Sequence, residues 1–217
     1  YDLSGHQPPL HDDKALYFTY AGMHVFDITS GKLIWKSAYD VTEGHIKRGN
    51  AQSIIDGNAV YVSAKGQLKA FDKSNGQLLW TSKDFGGAVA EMEARGNVIY
   101  GRLGGQFYDR TKKEWELKKP LGVGALDKQT GNVLWRYDDA KDSITNMVIL
   151  DSIATVLIAD AKNLIGLDMN GKGDIKEKFK VKLEFKKKIG AGAIAAGASR
   201  FALGGIRGLS SKGSGSD

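Results

Sequence analysis

Short stretches of alternating apolar and polar residues recur along the chain, separated by turns rich in Gly, Asp, Asn and Ser. Residues 58–64 and 154–159 are typical, because β-branched and aromatic side chains are frequent in them. No longer segment repeats its apolar residues with the period of about 3.6 that an amphipathic helix requires. The pattern therefore predicts an all-β chain built from many short strands.

A sequence repeat underlies this pattern. Residues 25–35, 70–80 and 125–135 share one template, in which Asp is followed by Gly four places on and by Trp eight places on. The repeated positions are Asp27, Gly31 and Trp35; Asp72, Gly76 and Trp80; and Asp127, Gly131 and Trp135. A fourth copy, at residues 166–174, keeps Asp168 but has no Trp at the eighth place. Successive Asp residues are 45, 55 and 41 positions apart.

Each copy of the template is typical of a β-hairpin. The Asp side chain can accept hydrogen bonds from the backbone that follows it, and Gly supplies the positive φ of the hairpin loop. The Trp then lies on the returning strand, where its large ring must be buried. Another pair of apolar runs precedes the hairpins, which makes four strands in roughly 40 to 50 residues, the period of a β-propeller blade.

The A-x-D-x-x-T-G-x-x-x-W pattern resembles the repeat of PQQ-like β-propellers. This family contains quinoprotein dehydrogenases and non-catalytic relatives, among them the propeller lipoprotein of the outer-membrane β-barrel assembly machinery. The resemblance implies four-stranded antiparallel blades with Trp wedged between neighbours, in a ring of about seven or eight blades. The predicted segments are an irregular stretch at 1–13, blades at 14–38, 51–82, 88–137 and 145–183, a partial blade at 192–209 and a flexible Gly/Ser tail at 210–217. With about four to five blades, the chain is expected to be part of a larger ring, completed by remaining blades of the same protein or by a partner.

The amino-acid composition excludes several kinds of catalytic and metal site. The 217 residues include 28 Gly and no Cys, so disulfides, thiolate metal sites and a Cys nucleophile are excluded. No apolar run approaches the length of about 18 residues that a transmembrane helix needs, and no targeting segment is recognised. No Ser/His/Asp arrangement or metal-ligand spacing can be assembled. We therefore predict no catalytic residue and no cofactor.

One alternative concerns a quinone enzyme. Members of the resembled family that oxidise alcohols carry PQQ, a calcium site and an adjacent Cys pair over the cofactor, and this chain has no Cys. PQQ with calcium is therefore expected only if further blades supply the site. A loop with Asp168, Asn170 and Asp174 resembles a calcium loop, but Lys172 occupies its fifth ligand position, and a hairpin turn is the favoured interpretation.

The 55-residue spacing contains about ten extra residues, which fall within residues 101–122, between the middle strands of the third predicted blade. This stretch mixes basic and aromatic side chains, a combination that can bind nucleic acid. Its candidate interaction residues are Arg110, Lys112, Lys113 and Trp115. A surface loop whose aromatic residues cover a neighbouring blade is the favoured interpretation. If the protein has a binding epitope of its own, we expect it here.

The basic balance of +6 comes mostly from one segment, since residues 172–188 contain eight Lys and three acidic residues, a net charge of +5. Alternation predicts that four lysines share one face of a strand, namely Lys176, Lys178, Lys180 and Lys182, with Phe179, Val181, Leu183 and Phe185 on the other. The favoured interpretation is an outermost blade strand whose lysines prevent edge-to-edge aggregation. The alternative is a patch for an acidic protein, anionic lipid or nucleic acid. Nothing else in the sequence favours nucleic acid.

The predicted function is a non-catalytic β-propeller scaffold that mediates protein–protein interaction. The family resemblance implies a periplasmic, extracellular or envelope-associated assembly. Two alternatives stay open. One is a fragment of a PQQ-dependent alcohol or sugar dehydrogenase whose site lies in further blades, and the other is a propeller that binds carbohydrate or another polymer.

Overall fold

The computed structural model describes residues 8–19, 21–39, 51–109 and 112–184. Contacts divide the chain into two compact units, Tyr1–Leu183 and Glu184–Asp217, and the strands of the described residues lie in the first unit. These residues form β-strands and turns, with one 3-10 turn at Asp151–Ile153, so the all-β prediction is confirmed. In this part of the chain, no helix has the length and apolar character needed to cross a membrane. The predicted partial blade at 192–209 and tail at 210–217 lie outside the described residues.

Four sheets follow one another along the chain, and we call them blades 1 to 4. Blade 1 contains β1 (Leu10–His11), β2 (Ala15–Thr19), β3 (Met23–Asp27) and β4 (Leu33–Ser37). Blade 2 contains β5 (Ile54–Asp56), β6 (Ala59–Ala64), β7 (Gln67–Asp72) and β8 (Leu78–Thr81). Blade 3 contains β9 (Val89–Arg95), β10 (Val98–Asp109), β11 (Glu114–Asp127), β12 (Val133–Tyr137) and the later β16 (Gly173–Asp174). Blade 4 contains β13 (Val148–Leu150), β14 (Thr155–Ala159), β15 (Asn163–Asp168) and β17 (Glu177–Lys182). Apart from β16, neighbouring strands in each sheet are antiparallel.

Blade 1 differs from the prediction, because it begins before residue 14. β1 lies in the stretch expected to be irregular and pairs with β2, Leu10 opposite Tyr17 and His11 opposite Leu16. The Asp12 carboxylate turns the chain between the two strands by accepting hydrogen bonds from the backbone N–H of Ala15, at 2.8 Å, and of the residue before it. A strand of two residues is too short to show alternation, so the sequence pattern did not reveal it.

Each pair of consecutive blades encloses its own hydrophobic core. Strand β6 shows how, because all six of its residues are buried. Val60 and Val62 pack in the core shared with blade 1, whereas Ala59 and Tyr61 pack in the core shared with blade 3. Successive side chains of a strand point to opposite faces, so a blade between two others must be apolar on both faces. This requirement explains the continuous apolar run at residues 59–62.

Blade 3 has a fifth strand that the sequence pattern did not predict. β16 comes from the loop after β15 of blade 4 and pairs in parallel with β12, Gly173 opposite Trp135 and Asp174 opposite Arg136. The backbone N–H of Ile175 adds a hydrogen bond of 2.9 Å to the Arg136 carbonyl. Blades 3 and 4 are thus joined by backbone pairing as well as by their shared core.

Candidate functional site: the blade junctions and the blade 3 hairpin

The repeated Asp shapes the turn that leads into the outer strand of its blade. The Asp127 carboxylate accepts hydrogen bonds from the backbone N–H of Gln129 at 3.0 Å and of Thr130 at 2.8 Å, and its carbonyl accepts from the Gly131 N–H at 2.8 Å. Burial acts to raise the pKa of Asp127, but these hydrogen bonds to the carboxylate outweigh it and lower the pKa. The carboxylate is therefore ionised at neutral pH and holds the turn closed.

The repeated Trp connects its blade to the next one. In each case the indole N–H donates to the backbone carbonyl that directly follows the Asp of the next copy. The three hydrogen bonds are Trp35 to Lys73 at 2.8 Å, Trp80 to Lys128 at 3.2 Å, and Trp135 to Met169 at 3.1 Å. The ring buries its apolar surface in the junction and its polar N–H finds a partner there, as a buried indole requires.

The repeated Gly receives the Trp of the preceding blade, not the Trp of its own copy. A Cβ atom on Gly76 would lie 2.4 Å from the Trp35 ring, and a Cβ atom on Gly131 would lie 2.4 Å from the Trp80 ring. Both glycines also have positive φ, +74° and +72°. Glycine is therefore required at this position for two reasons, the positive φ of the backbone and the close approach of the Trp ring.

In blade 4 the place of the Trp is taken by Phe179. The register puts Trp135 opposite Ala125 in blade 3 and Phe179 opposite Gly166 in blade 4. A fixed spacing search misses this residue, because Phe179 follows Asp168 by eleven places instead of eight. The three additional residues belong to the loop that forms β16. A search for an aromatic residue in the returning strand, with a variable turn length, would have found it.

The insertion between the middle strands of blade 3 is a β-hairpin and not a loop. We call residues 105–118 the blade 3 hairpin. Its strands are continuous with β10 and β11, and their register shifts between Leu103 and Gly105, where Gly104 and Gly105 both have positive φ. Phe107, which is 9% exposed, fixes the hairpin to blade 3 by packing against Ala88, the residue directly before β9.

The opposite face of the blade 3 hairpin carries two exposed aromatic rings. Tyr108 and Trp115 are cross-strand partners, their ring centroids are 5.6 Å apart, and the rings meet edge to face at 62°. Tyr108 is 45% exposed and Trp115 is 56% exposed, and the exposed Leu117 extends the same face. Phe107 packs against its own blade, and Tyr108 and Trp115 are exposed, so within the described part of the chain these aromatic residues do not cover a neighbouring blade.

The charged face of the blade 3 hairpin is internally paired. Glu116 forms ion pairs with Lys112 and with Lys118, the latter at 2.6 Å. The hydrogen bonds from Lys112 and Lys118 lower the pKa of Glu116 to about 2. Lys113 is exposed at the turn, and Arg110 lies outside the described residues. Of the predicted interaction residues here, the structure therefore brings Lys112, Lys113 and Trp115 to the end of one hairpin.

Known protein families include one whose sequence pattern matches this chain. The family model described as outer membrane protein assembly factor BamB matches residues 2–173. The chain belongs to the BamB family. This confirms the resemblance to PQQ-like propellers that the Asp, Gly and Trp positions indicated. No curated protein matches the chain.

Solved structures similar to this BamB-family chain show the same fold. The computationally designed Ika8 protein aligns with a TM-score of 0.58 and 15% identity over 84% of this chain and 53% of that one. Quinohemoprotein alcohol dehydrogenase from Comamonas testosteroni aligns with a TM-score of 0.56 and 15% identity, over 81% and 34%. The WD40 β-propeller domain of Doa1 aligns with a TM-score of 0.51 and 10% identity, over 81% and 53%. The chain is a partial β-propeller. It spans about half the length of Ika8 and of the Doa1 domain, and about a third of the length of the dehydrogenase.

The lysine segment of this BamB-family chain forms the outermost strand of blade 4, β17. Two details differ from the predicted face. Lys176 precedes the strand, and the register shift between Gly166 and Leu167 leaves Lys178 as an additional residue in a β-bulge. Val181 shares one face of the strand with Phe179, as predicted, and it is 52% exposed. The bulge changes the alternation only before Phe179, at Lys178.

Two of these lysines have defined partners. Lys178 donates a hydrogen bond of 2.8 Å to the carbonyl of Ile153, and Lys180 forms an ion pair of 2.8 Å with Glu177. Glu177 also accepts a hydrogen bond of 3.0 Å from the Tyr137 hydroxyl in blade 3. The lysine strand thus takes part in the junction between blades 3 and 4.

The candidate calcium ligands Asp168, Asn170 and Asp174 lie at the end of β15, in the turn that follows it and in β16. The Asp168 carboxylate accepts a hydrogen bond of 3.0 Å from the backbone N–H of Asn170, and Asp174 lies in β16. Within the four described stretches, no three His, Asp or Glu side chains converge to hold a metal ion.

Proposed function

We propose that this BamB-family chain belongs to a non-catalytic β-propeller scaffold, which binds a protein partner in an assembly of the cell envelope. The exposed pair of Tyr108 and Trp115 on the blade 3 hairpin carries the proposal. The hairpin extends beyond the part of β10 and β11 that pairs with β9 and β12, so blade packing does not account for it.

The chemistry of the hairpin face fits a protein partner. Tyr and Trp are enriched in the centres of protein–protein interfaces, because each covers a large apolar area with few rotatable bonds. Tyr108 and Trp115 hold each other edge to face on paired strands, and Phe107 fixes the hairpin to its blade. A rigid aromatic surface loses little conformational entropy on binding.

The description of the matched family supports the compartment and the process. It names an outer membrane protein assembly factor, so we propose a periplasmic or envelope location and a role in the assembly of outer-membrane proteins. The partner is then a protein of that assembly, bound to the aromatic face of the blade 3 hairpin.

The alternative function is supported by the likeness to a quinohemoprotein alcohol dehydrogenase. Under this alternative, the chain is a fragment of a PQQ-dependent enzyme whose site lies in other blades. A quinone absorbance band, or dye-linked alcohol oxidation by the protein purified from its source, would establish the alternative and reject the non-catalytic scaffold.

The experiment compares two double variants expressed from the native gene. Tyr108→Ala with Trp115→Ala removes the aromatic face of the hairpin. Leu78→Ala with Leu79→Ala is the matched control, since those side chains are 49% and 51% exposed in blade 2. We expect the hairpin variant to reduce the folded fraction of outer-membrane proteins at unchanged protein level, and the control to keep it. Equal behaviour of the two variants would reject the hairpin as the binding surface.

A further inference from the structure

The aromatic face of the blade 3 hairpin continues into a lysine. Exposure alternates along β11, so that Trp115, Leu117 and Lys119 are exposed and the residues between them are half-buried. Tyr108 and Gln106, which pair with Trp115 and Leu117 across the hairpin, are exposed as well. Two aromatic rings, an aliphatic side chain, an amide and a cation thus lie along one surface.

The acidic side chains of the hairpin belong to its other face. Its three acidic residues alternate along the strands with Tyr108 and Trp115, and they are Asp109, Glu114 and Glu116. On that other face Glu116 forms ion pairs with two lysines. The hairpin therefore balances the charge of one face by itself and supplies no carboxylate to the aromatic face.

Two lysines lie at the two ends of the aromatic face. Lys113 is in the turn, two residues before Trp115, and Lys119 comes two residues after Leu117. Both lysines are exposed, and neither forms an ion pair with another residue in the described stretches. With a rise of about 3.3 Å per residue, Lys119 lies about 13 Å from Trp115 along the strand. The exposed rings are thus flanked by positive charge on both sides.

The base of the hairpin holds this surface in place. The side chain of Arg102 is only 12% exposed, and it donates a hydrogen bond of 2.7 Å to the Gly104 carbonyl and pairs with Glu91 at 3.1 Å. Glu91 also accepts a hydrogen bond of 3.0 Å from the backbone N–H of Met147, the residue before the first strand of blade 4. The hairpin is therefore anchored to blades 3 and 4, and a surface that is already ordered loses little entropy on binding.

We propose that the aromatic face of the blade 3 hairpin binds an acidic segment of a protein. An apolar residue of that segment lies on Tyr108 and Trp115, and carboxylates on either side of it pair with Lys113 and Lys119. Charges at the edge of an apolar contact steer association and disfavour partners of the same sign, so this surface selects against basic segments. The inference rests on the proposed function, because it gives the chemistry of the protein that the hairpin binds.

Photocrosslinking from position 106 tests the charge of that partner. A photoreactive phenylalanine analogue in place of Gln106 lies on the aromatic face, opposite Leu117, and leaves both rings and both lysines unchanged. The analogue is introduced into the native protein in living cells, alone or together with Lys113→Glu and Lys119→Glu. Mass spectrometry of the adduct then identifies the segment of the partner that is crosslinked.

Reversal of two lysines elsewhere is the matched control. Lys32→Glu with Lys36→Glu changes the net charge by the same amount, and both residues are exposed in blade 1 without an ion pair to a described residue. We expect the Lys113 and Lys119 reversal to reduce the adduct by at least about fivefold at unchanged protein level, because two exposed ion pairs become two repulsive contacts. The control should keep the adduct, and the crosslinked segment should carry a net negative charge.

The outcomes separate this inference from the proposed function. A neutral or basic crosslinked segment, an adduct undiminished by the reversal of Lys113 and Lys119, or an equal loss in the control overturns the acidic segment and leaves a protein partner in place. An adduct with lipid or polysaccharide instead of protein overturns both. No adduct from position 106 also overturns the inference, whereas the proposed function is decided by the variant that lacks Tyr108 and Trp115.

Discussion

The indole N–H of Trp80 in blade 2 donates a hydrogen bond of 3.2 Å to the backbone carbonyl of Lys128 in blade 3. The same ring lies against Gly131, which belongs to the next copy of the repeat. The Gly and the Trp of one copy therefore serve different junctions, one on each side of the blade. A repeat of this kind stabilises neighbouring blades in pairs, as expected for an architecture in which each unit contacts the next.

Removing a junction ring should destabilise the protein strongly. Trp135 is fully buried, and Trp135→Ala is expected to lower the free energy of unfolding by about 3–5 kcal/mol. Trp115→Ala serves as the control and should change it by less than about 0.5 kcal/mol, because Trp115 is exposed. Urea unfolding followed by circular dichroism measures both. Similar losses in the two variants would contradict the junction role of Trp135.

Glycine substitutions separate the two requirements at the repeated Gly. Gly57→Ala places a Cβ in the left-handed region with open space around it and should cost about 1–2 kcal/mol. Gly131→Ala carries the same conformational cost and also meets the Trp80 ring, which should add about 1–3 kcal/mol. The difference between the two variants in thermal or urea unfolding reports the ring contact alone. Equal costs would mean that the turn conformation is the whole requirement.

The junction of blades 3 and 4 should weaken in acid. The hydrogen bond from Lys180 is the main reason why the pKa of Glu177 falls from 4.5 to about 2, with a smaller contribution from Tyr137. Because the folded pKa is the lower one, the stabilisation is complete above about pH 4.5 and is lost as the pH falls towards about 2. Glu177→Gln should flatten this part of the stability profile, measured by unfolding at a series of pH values. An unchanged profile in Glu177→Gln would show that Glu177 does not contribute.

The lysines of β17 should act mainly on solubility. Lys178→Thr with Lys182→Thr removes two exposed charges from an outermost strand, and charged side chains on such strands oppose pairing with another chain. We expect a lower soluble concentration, seen as aggregation by light scattering, with partner binding maintained. The reverse result, lost partner binding at unchanged solubility, would instead favour the acidic-partner interpretation.

The blades could be predicted from the sequence because their signals are local. Asp72, Gly76 and Trp80 lie within one hairpin, and alternation marks the strands around them. The features that were missed depend on contacts distant in the chain. β16 pairs with β12 through backbone atoms, and Phe179 replaces Trp only after the intervening loop has changed length.

The candidate site was only partly predictable. The insertion was found by its length, and its mixture of basic and aromatic residues marked it as a possible epitope. Which rings are exposed depends on the cross-strand pairing of Tyr108 with Trp115 and on the packing of Phe107 against Ala88. Spacing in the sequence does not determine these contacts.

The most direct test of the scaffold function is site-specific photocrosslinking in living cells. A photoreactive phenylalanine analogue replaces Trp115 in the native protein, and the control carries it at Leu79, which is similarly exposed in blade 2. The proposed function predicts an adduct with one discrete envelope protein from position 115 and none from position 79. No adduct at position 115, or the same adducts at both positions, would contradict binding through the blade 3 hairpin.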